Sequence, residues 1–431
     1  MAPAYTRPTG CQSPASSWFT CCMQLVEEFC TFIQSAPSSY HAAEAAAGIA
    51  TAAGFSRVGF ADPHADLASP GGHVCVLEGA AIAWWVPESP FTAARLVGAH
   101  TDSPGFKLKP TPQSNASGFA RACVEVYGGA ILSSWFDREL VLAGQVHTRD
   151  GARLITTDPI FRISHLAIHL DRSVNESFAP NRQVEVQPMF GMDGDDLLEI
   201  IATAAGISAS DLLTWDLITC AAQPPALTGA QGSWLASCRL DNLSSVFPAF
   251  TALTRAEKSD TLLIAVAFDH EEVGSASATG AGGRILESLL TRICGGDRVQ
   301  LENLLANSVM VSADAAHSIH PNYATRHDPD TYPVLGGGPV VKFNANQRYA
   351  TTPHTAAIFT EAARRAGVAV QQFVSNNTVP CGSTIGPALS TRMGIPTVDV
   401  GVPLLSMHSA RELADIGDIA DLTATLVAFY E

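Results

Sequence analysis

Several short runs in the second half of the chain, residues 262–267, 308–312, 340–343 and 396–400, are largely apolar, with polar side chains only at Ser308, Ser312, Lys342, Thr397 and Asp399. A strand built this way has to be covered on both sides, and a mostly parallel sheet packed between layers of helices does so. The stretches between these runs have helical texture from Arg239 onward, so this half predicts an open α/β sheet. The amino-terminal part agrees. Residues 17–34 place Phe19, Cys22, Leu25, Val26, Phe29, Phe32 and Ile33 at three-four spacing, which predicts an amphipathic helix stopping near Pro37. An alanine-dense helix is expected over 42–53 with Gly54 as its stop, followed by strands over 73–77, 82–86 and 95–99.

From Lys107 to about Trp234 the texture changes to short alternating segments, 122–126, 139–146, 153–156 and 184–186, punctuated by turns such as Asp150-Gly151. The simplest organisation is one α/β domain, 18–106 joined with 236–431, interrupted by a β-rich insertion over 107–235. Residues 1–17, rich in Pro, Ser and Thr, read as a loose arm that lacks the basic start and apolar stretch of a secretory signal. Composition narrows the function classes. Hydrophobic residues at 47% suffice for a large core, which speaks against disorder. With 41 acidic against 25 basic side chains the net charge is −16, so nucleic acid is not an expected partner, since phosphate binding needs clustered Lys and Arg. The longest apolar runs are of strand length, so no membrane span is expected. The ten cysteines, none in a CxxC pair, read as reduced thiols of a cytoplasmic protein.

Five residues able to bind a metal stand just after apolar runs or at a helix start: His100, Asp241, Glu272, Asp314 and His408. In an open α/β sheet, ligands collect beyond the carboxyl ends of the strands, so residues distant in sequence can converge there. Two imidazoles and three carboxylates suit a pair of divalent ions with one carboxylate bridging them. Asp102 is placed to hydrogen-bond the other nitrogen of the His100 ring, and Glu271 is free to act as a general base. Singly, each residue has a plainer reading: a satisfied polar histidine, a helix-capping aspartate, a solvated acidic pair. Five such coincidences at one sheet edge favour a dinuclear centre over an idle α/β scaffold.

The strings around these residues resemble the M18 aspartyl aminopeptidases: VGAHTDSPG over 97–105, RLDNL over 239–243, FDHEEVGS over 268–275 and SADAAHSIHPNY over 312–323. Further strings are GPVVK over 338–342, NQRYA over 346–350, CGSTIGP over 381–387 and MHSARE over 407–412, and the resemblance runs from the first helix, through PSSYH over 37–41, to the carboxyl terminus. It implies a peptidase with two zinc ions per subunit, Mn²⁺ or Co²⁺ also being acceptable, that releases N-terminal Asp or Glu from peptides. The implied fold is an α/β/α sandwich with an inserted β-rich dimerisation domain, and the implied assembly is a tetrahedral homododecamer. By position, His100, Asp241 and Asp314 hold one zinc, and Asp241, Glu272 and His408 the other. Glu271 becomes the base that activates the water between them. His165 corresponds to a histidine that reaches a neighbouring subunit's active site. Lys342 and Tyr349 correspond to groups that bind the acidic side chain, and His320 to a pocket residue, with His317 close enough to compete for that role.

One departure concerns Thr378, where several relatives carry an acid three residues before the Cys-Gly pair. Two other readings stand beside the resemblance. A different dinuclear metallo-amidohydrolase, such as a deacylase, would activate water in the same way and differ only in its pocket. A non-catalytic assembly or cargo protein on this scaffold would be expected to have lost a ligand or the base, and His100, Asp241, Glu271, Glu272, Asp314 and His408 are all present.

Overall fold

The computed structural model describes residues 15–62 and 64–431, with side chains described from residue 23 onward. The arm expected over 1–17 lies outside the described residues as far as residue 14, and residues 15–17 open the first helix, Ala15–Gln34. Ser38 caps the second helix, Ser39–Ala52, by accepting the His41 N–H. Gly54 follows it with a φ of +89°, a conformation open to glycine at little cost.

Among the described residues, nine strands form the central sheet. Their order is Ser56–Arg57, Gly71–Leu77, Ala80–Val86, Leu262–Phe268, Ala94–His100, Val309–Ala313, Thr397–Gly401, Val340–Phe343, Gln371–Val374. The four central strands, from Leu262–Phe268 to Thr397–Gly401, run parallel. Their side chains alternate between two cores. Val97, Ala99, Leu263, Ala265, Val311 and Val398 pack against the helices Ala15–Gln34, Ser39–Ala52, Leu240–Arg255, Pro353–Arg365 and Ile416–Tyr430. Leu96, Ile264, Val266 and Met310 face the opposite way, against Ile285–Ile293, Arg298–Asn307 and Ile385–Met393. The result is the α/β/α sandwich, and it explains why these strands are largely apolar on both faces: neither side meets water.

A second, six-stranded sheet is antiparallel and consists of Gly151–Thr156, Leu140–Thr148, Thr214–Ala221, Gly105–Ala116, Phe119–Tyr127 and Met189–Met192, in that order. It has its own core around Phe106, Leu140, Leu142, Phe161, Leu197 and Ile201. The strand expected over 184–186 is absent there: the chain forms a turn in which Asn181 O accepts the N–H groups of Val184 and Glu185, and the strand comes later, at Met189–Met192. Val186 is buried while Val184 is exposed, so the apolar pair reflects one core contact rather than a strand face. A third sheet joins Ala226–Thr228, Trp234–Ser237, Glu412–Asp415, Pro403–Leu405 and Ala316–His317. Residues 226–237, which straddle the expected boundary at 235, thus pair with the carboxy-terminal strand Glu412–Asp415. Among the described residues no helix is long and apolar enough to cross a membrane.

The first helix is held by aromatic contact: Phe29 is fully buried, its ring centroid 5.2 Å from that of Phe247, and Phe32 lies 5.6 Å from the same ring. Phe29→Ala should cost about 3–5 kcal/mol of stability, the usual loss for emptying an aromatic site in a packed core. Chemical denaturation measures it, and a loss under about 1 kcal/mol would mean the helix does not share the core.

Candidate metal centre

The central strands deliver the candidate ligands. His100 is the last residue of Ala94–His100 and pairs with Phe268 on the neighbouring strand, whose chain continues into Glu271 and Glu272. Asp314 follows Val309–Ala313, Asp241 lies in the first turn of Leu240–Arg255, and His408 sits on the loop between Pro403–Leu405 and Glu412–Asp415. The Asp241-Asn242 peptide is cis.

These side chains converge into three overlapping triads, His100 with Asp241 and Asp314, Asp241 with Glu272 and His408, and His100 with Glu271 and Glu272, the candidate ligand atoms of each triad lying within 4.8 Å of one another. His100 Nε2 lies 3.2 Å from Asp314 Oδ1 and 3.3 Å from Asp241 Oδ1. His408 Nε2 lies 3.4 Å from Asp241 Oδ2 and 3.3 Å from Glu272 Oε2. Asp241 therefore turns one oxygen to each imidazole. Both rings have their other nitrogen occupied: His100 Nδ1 donates to the Asp102 carbonyl at 3.1 Å, and His408 Nδ1 donates to the Gly129 carbonyl at 3.2 Å. In the neutral tautomer this leaves Nε2 as the ligating atom of each ring. Among the described residues, Asp241 Oδ1 and Glu272 Oε1 are buried without a hydrogen bond. Two unsatisfied carboxylate oxygens buried in one cluster, that of Asp241 facing His100 Nε2, are costly unless a cation meets them, and oxygen and nitrogen donors of this kind suit zinc. The residues fit a metal.

The groups around the ligands hold them in place. Asp102 accepts the backbone N–H groups of Glu271 and Glu272, both at 3.0 Å, and the Tyr127 hydroxyl at 2.8 Å, while its Oδ1 stands 3.3 Å from His100 Nδ1. It thus fixes both glutamates as well as the histidine it was expected to orient. Glu271 Oε2 lies 3.9 Å from His100 Nε2. Lys342 is buried, donating to Asp314 Oδ2 at 3.1 Å and to the Ala315 carbonyl at 3.0 Å, with its ammonium 5.1 Å from the Tyr349 ring centroid. His320 stacks on Tyr323 and lines a cleft with His317, His327, Met407 and His408. His165 stands apart: Nδ1 meets Asp137 Oδ2 at 2.6 Å and the ring packs on Phe136 and Phe178, all outside the ligand cluster. Thr378 donates through both its N–H and its hydroxyl to Asn376 Oδ1, and Asn376 in turn donates to the carbonyls of Thr325 and His327. Asn376 therefore braces the loop before Cys381 without an acid at 378. Sequence reasoning missed Tyr127, Gly129 and Glu412, whose contacts carry no spacing signal.

Burial raises the Glu271 carboxyl to about 7, with the nearby Asp314 and Asp241 charges adding to the shift against the pull of His100. Glu272 is pushed well above the ordinary carboxylate range by burial and by Asp241, and Glu412 to about 8 by the same two causes. Burial works against a charged His408, yet the hydrogen bond to Asp241 and the Glu272 charge lift it to about 10. Each of these groups binds protons more tightly folded than unfolded, so its contribution is present below the unfolded value, 4.5 for glutamate and 6.5 for histidine, and is lost as pH rises through the folded one. Metal-free protein should accordingly melt at progressively lower temperature between about pH 5 and 8. Zinc, which displaces these protons, should flatten the profile. Thermal melting of chelator-stripped protein across that range measures this, and a rising profile would contradict it.

A family model described as Aminopeptidase I zinc metalloprotease (M18) matches residues 32–430. The probable M18 family aminopeptidase 2 of Streptomyces avermitilis is 45% identical, the match covering 94% of this chain and 97% of that protein. Its namesake in Pseudomonas syringae pv. syringae is 42% identical over 93% of this chain and 96% of that one. Among solved structures, the Ape4 and Nbr1 complex superposes with a TM-score of 0.91 at 34% identity, covering 95% of this chain and 86% of that one. The S. cerevisiae mApe1 dodecamer gives 0.82 at 26% identity, covering 94% and 96%. With ligand geometry, fold and sequence all in agreement, the chain belongs to the M18 family of zinc aminopeptidases.

Proposed function

We propose that this M18 aminopeptidase releases N-terminal Asp or Glu from peptides, using two zinc ions per subunit and Glu271 as general base. The observation that carries the two-ion reading is Asp241, whose two carboxylate oxygens lie 3.3 and 3.4 Å from the imidazoles of two different triads. When bound, zinc supplies positive charge that acidifies a water and polarises the substrate carbonyl. The chain's own residues supply the rest. Glu271, anchored through its backbone on Asp102, keeps its carboxylate beside the ligands, so it can take the proton of the attacking water and deliver it to the leaving amine. Lys342 has three N–H donors and spends two on Asp314 and Ala315, which leaves one for the carboxylate of an acidic substrate side chain beside Tyr349. His320 borders the adjoining cleft.

We further assign 18–106 with 236–431 to the catalytic domain and 107–235 to an inserted domain that dimerises. Likeness to the mApe1 dodecamer supports a homo-oligomer, for which we propose a tetrahedral dodecamer, and the part-exposed position of His165, away from its own subunit's cluster, suits a residue that serves a neighbour. The described cysteines are free thiols, which supports a reducing, cytoplasmic setting.

Two experiments test the reading. Glu271→Gln should retain both metals and lose about 10²- to 10⁴-fold in turnover, the usual contribution of a positioned base. Glu272→Gln should lose one ion and regain part of its activity with added Zn²⁺. Metal analysis beside kinetics checks both, and the reverse result would exchange the two roles. Second, on a panel of N-terminal residues the enzyme should prefer Asp and Glu. Lys342→Met should depress turnover of Asp substrates by far more than that of neutral ones, because an unpaired buried charge is worth about 2–5 kcal/mol. A preference for Leu, or equal losses on both substrate types, would overturn the specificity.

A further inference from the structure

Glu412 is 2% exposed, and its two carboxylate oxygens are each committed to a segment that carries a candidate ligand. Oε1 accepts the backbone N–H of His408 at 2.8 Å, and Oε2 accepts that of Asp241 at 3.0 Å. The sheet explains how one side chain reaches both. Glu412–Asp415 is flanked by Trp234–Ser237 on one side and Pro403–Leu405 on the other, with Ser237 opposite Glu412 and Leu405 opposite Leu413. Both flanking strands end at this point. One leads through Cys238, Arg239 and Leu240 to Asp241, the other through Ser406 and Met407 to His408. Each excursion passes through left-handed backbone at residues other than glycine: Arg239 at φ +58°, Ser406 at +58° and His408 itself at +67°. Such conformations persist only where surrounding contacts hold them, and for both loops the Glu412 carboxylate provides one.

We infer that Glu412 is a positioning residue that sets the separation of Asp241 and His408, and with it the affinity of the ion held by Asp241, Glu272 and His408. The inference rests on the two-ion reading above. A carboxylate can accept from both N–H groups, whereas an amide offers one acceptor oxygen and turns an NH₂ donor toward the other N–H. Glu412→Gln should therefore release one of the two segments. Removal of such an outer hydrogen-bond partner typically weakens metal affinity about 10- to 100-fold.

The test is metal binding as well as rate. Apo protein is titrated with zinc in buffers of set free concentration, bound metal is counted, and cobalt absorption is recorded. His408→Ala, which deletes a ligand, marks the ion concerned. The expected result is two ions per wild-type subunit, one of them bound about 10- to 100-fold more weakly in Glu412→Gln, an altered cobalt spectrum for that ion alone, and turnover restored by excess zinc. Glu412→Asp, which keeps two acceptor oxygens on a shorter stem, should recover part of the affinity. Wild-type affinity for both ions in Glu412→Gln would overturn the inference, as would equal weakening of both together with a lower melting temperature. A wild-type subunit that takes only one ion would instead overturn the two-ion reading.

Discussion

Asp241, Glu271, Glu272 and Asp314 crowd around two imidazoles where little water reaches them, and the repulsion among these carboxylates is the constraint the rest of the structure answers. Negative charges that could separate in water must here be held together by scaffold. The parallel strands do part of this work, because a sheet buried on both faces is stiff and ends its strands at one edge. Asp102, Glu412 and Lys342 do the remainder with hydrogen bonds to the candidate ligands or their backbone, and Tyr127 in turn donates to Asp102. Without a cation, burial and the neighbouring carboxylates shift Glu271 upward, and the hydrogen bond to Asp241 with the Glu272 charge shifts His408 upward.

Much of this was legible before any coordinates. Largely apolar strands announced a sheet between helices, and residues with metal-binding side chains just after strands announced the edge where they meet. His100, Asp241, Glu272, Asp314 and His408, which the structure brings together, stood out in the sequence because each is a chemically distinctive side chain at a positional landmark. The supporting contacts were not found, for a physical reason. The Gly129 carbonyl that orients His408 is a backbone atom with no side-chain signature, and Glu412 acts across a sheet whose register is invisible in one sequence. The misplaced strand over 184–186 has a similar origin: one buried valine two residues from an exposed one mimics alternation, while the N–H groups of Val184 and Glu185 donate to the Asn181 carbonyl and make a turn.

Backbone strain is concentrated at the same edge. Arg239, His270, Ser406 and His408 all lie in the left-handed region, each within a few residues of a ligand, where the cost is on the order of 1–3 kcal/mol apiece. The compensating contacts are specific. The Arg239 guanidinium donates to the carbonyls of Ala36 and Thr101 and to Ser103, binding the end of the first helix to the loop after His100. His270 donates its N–H to Asp269 and sets its ring against Ser277. Helices far from the sheet edge in sequence are thereby tied to ligand geometry.

The contact between Gly129 and His408 has a further consequence. Gly129 follows the Phe119–Tyr127 strand of the antiparallel sheet, whereas His408 belongs to the carboxy-terminal part of the chain, and a Cβ added at Gly129 would stand 3.1 Å from His408 Nδ1. Gly128 approaches Glu272 in the same way, at 3.2 Å. Two units that look like separable modules therefore share a wall of bare backbone at the reaction centre. Neither can be exchanged for a homologous part, or drift in lineage, without carrying its matching surface along, so recombination within such a gene is restricted to crossovers that keep this seam intact.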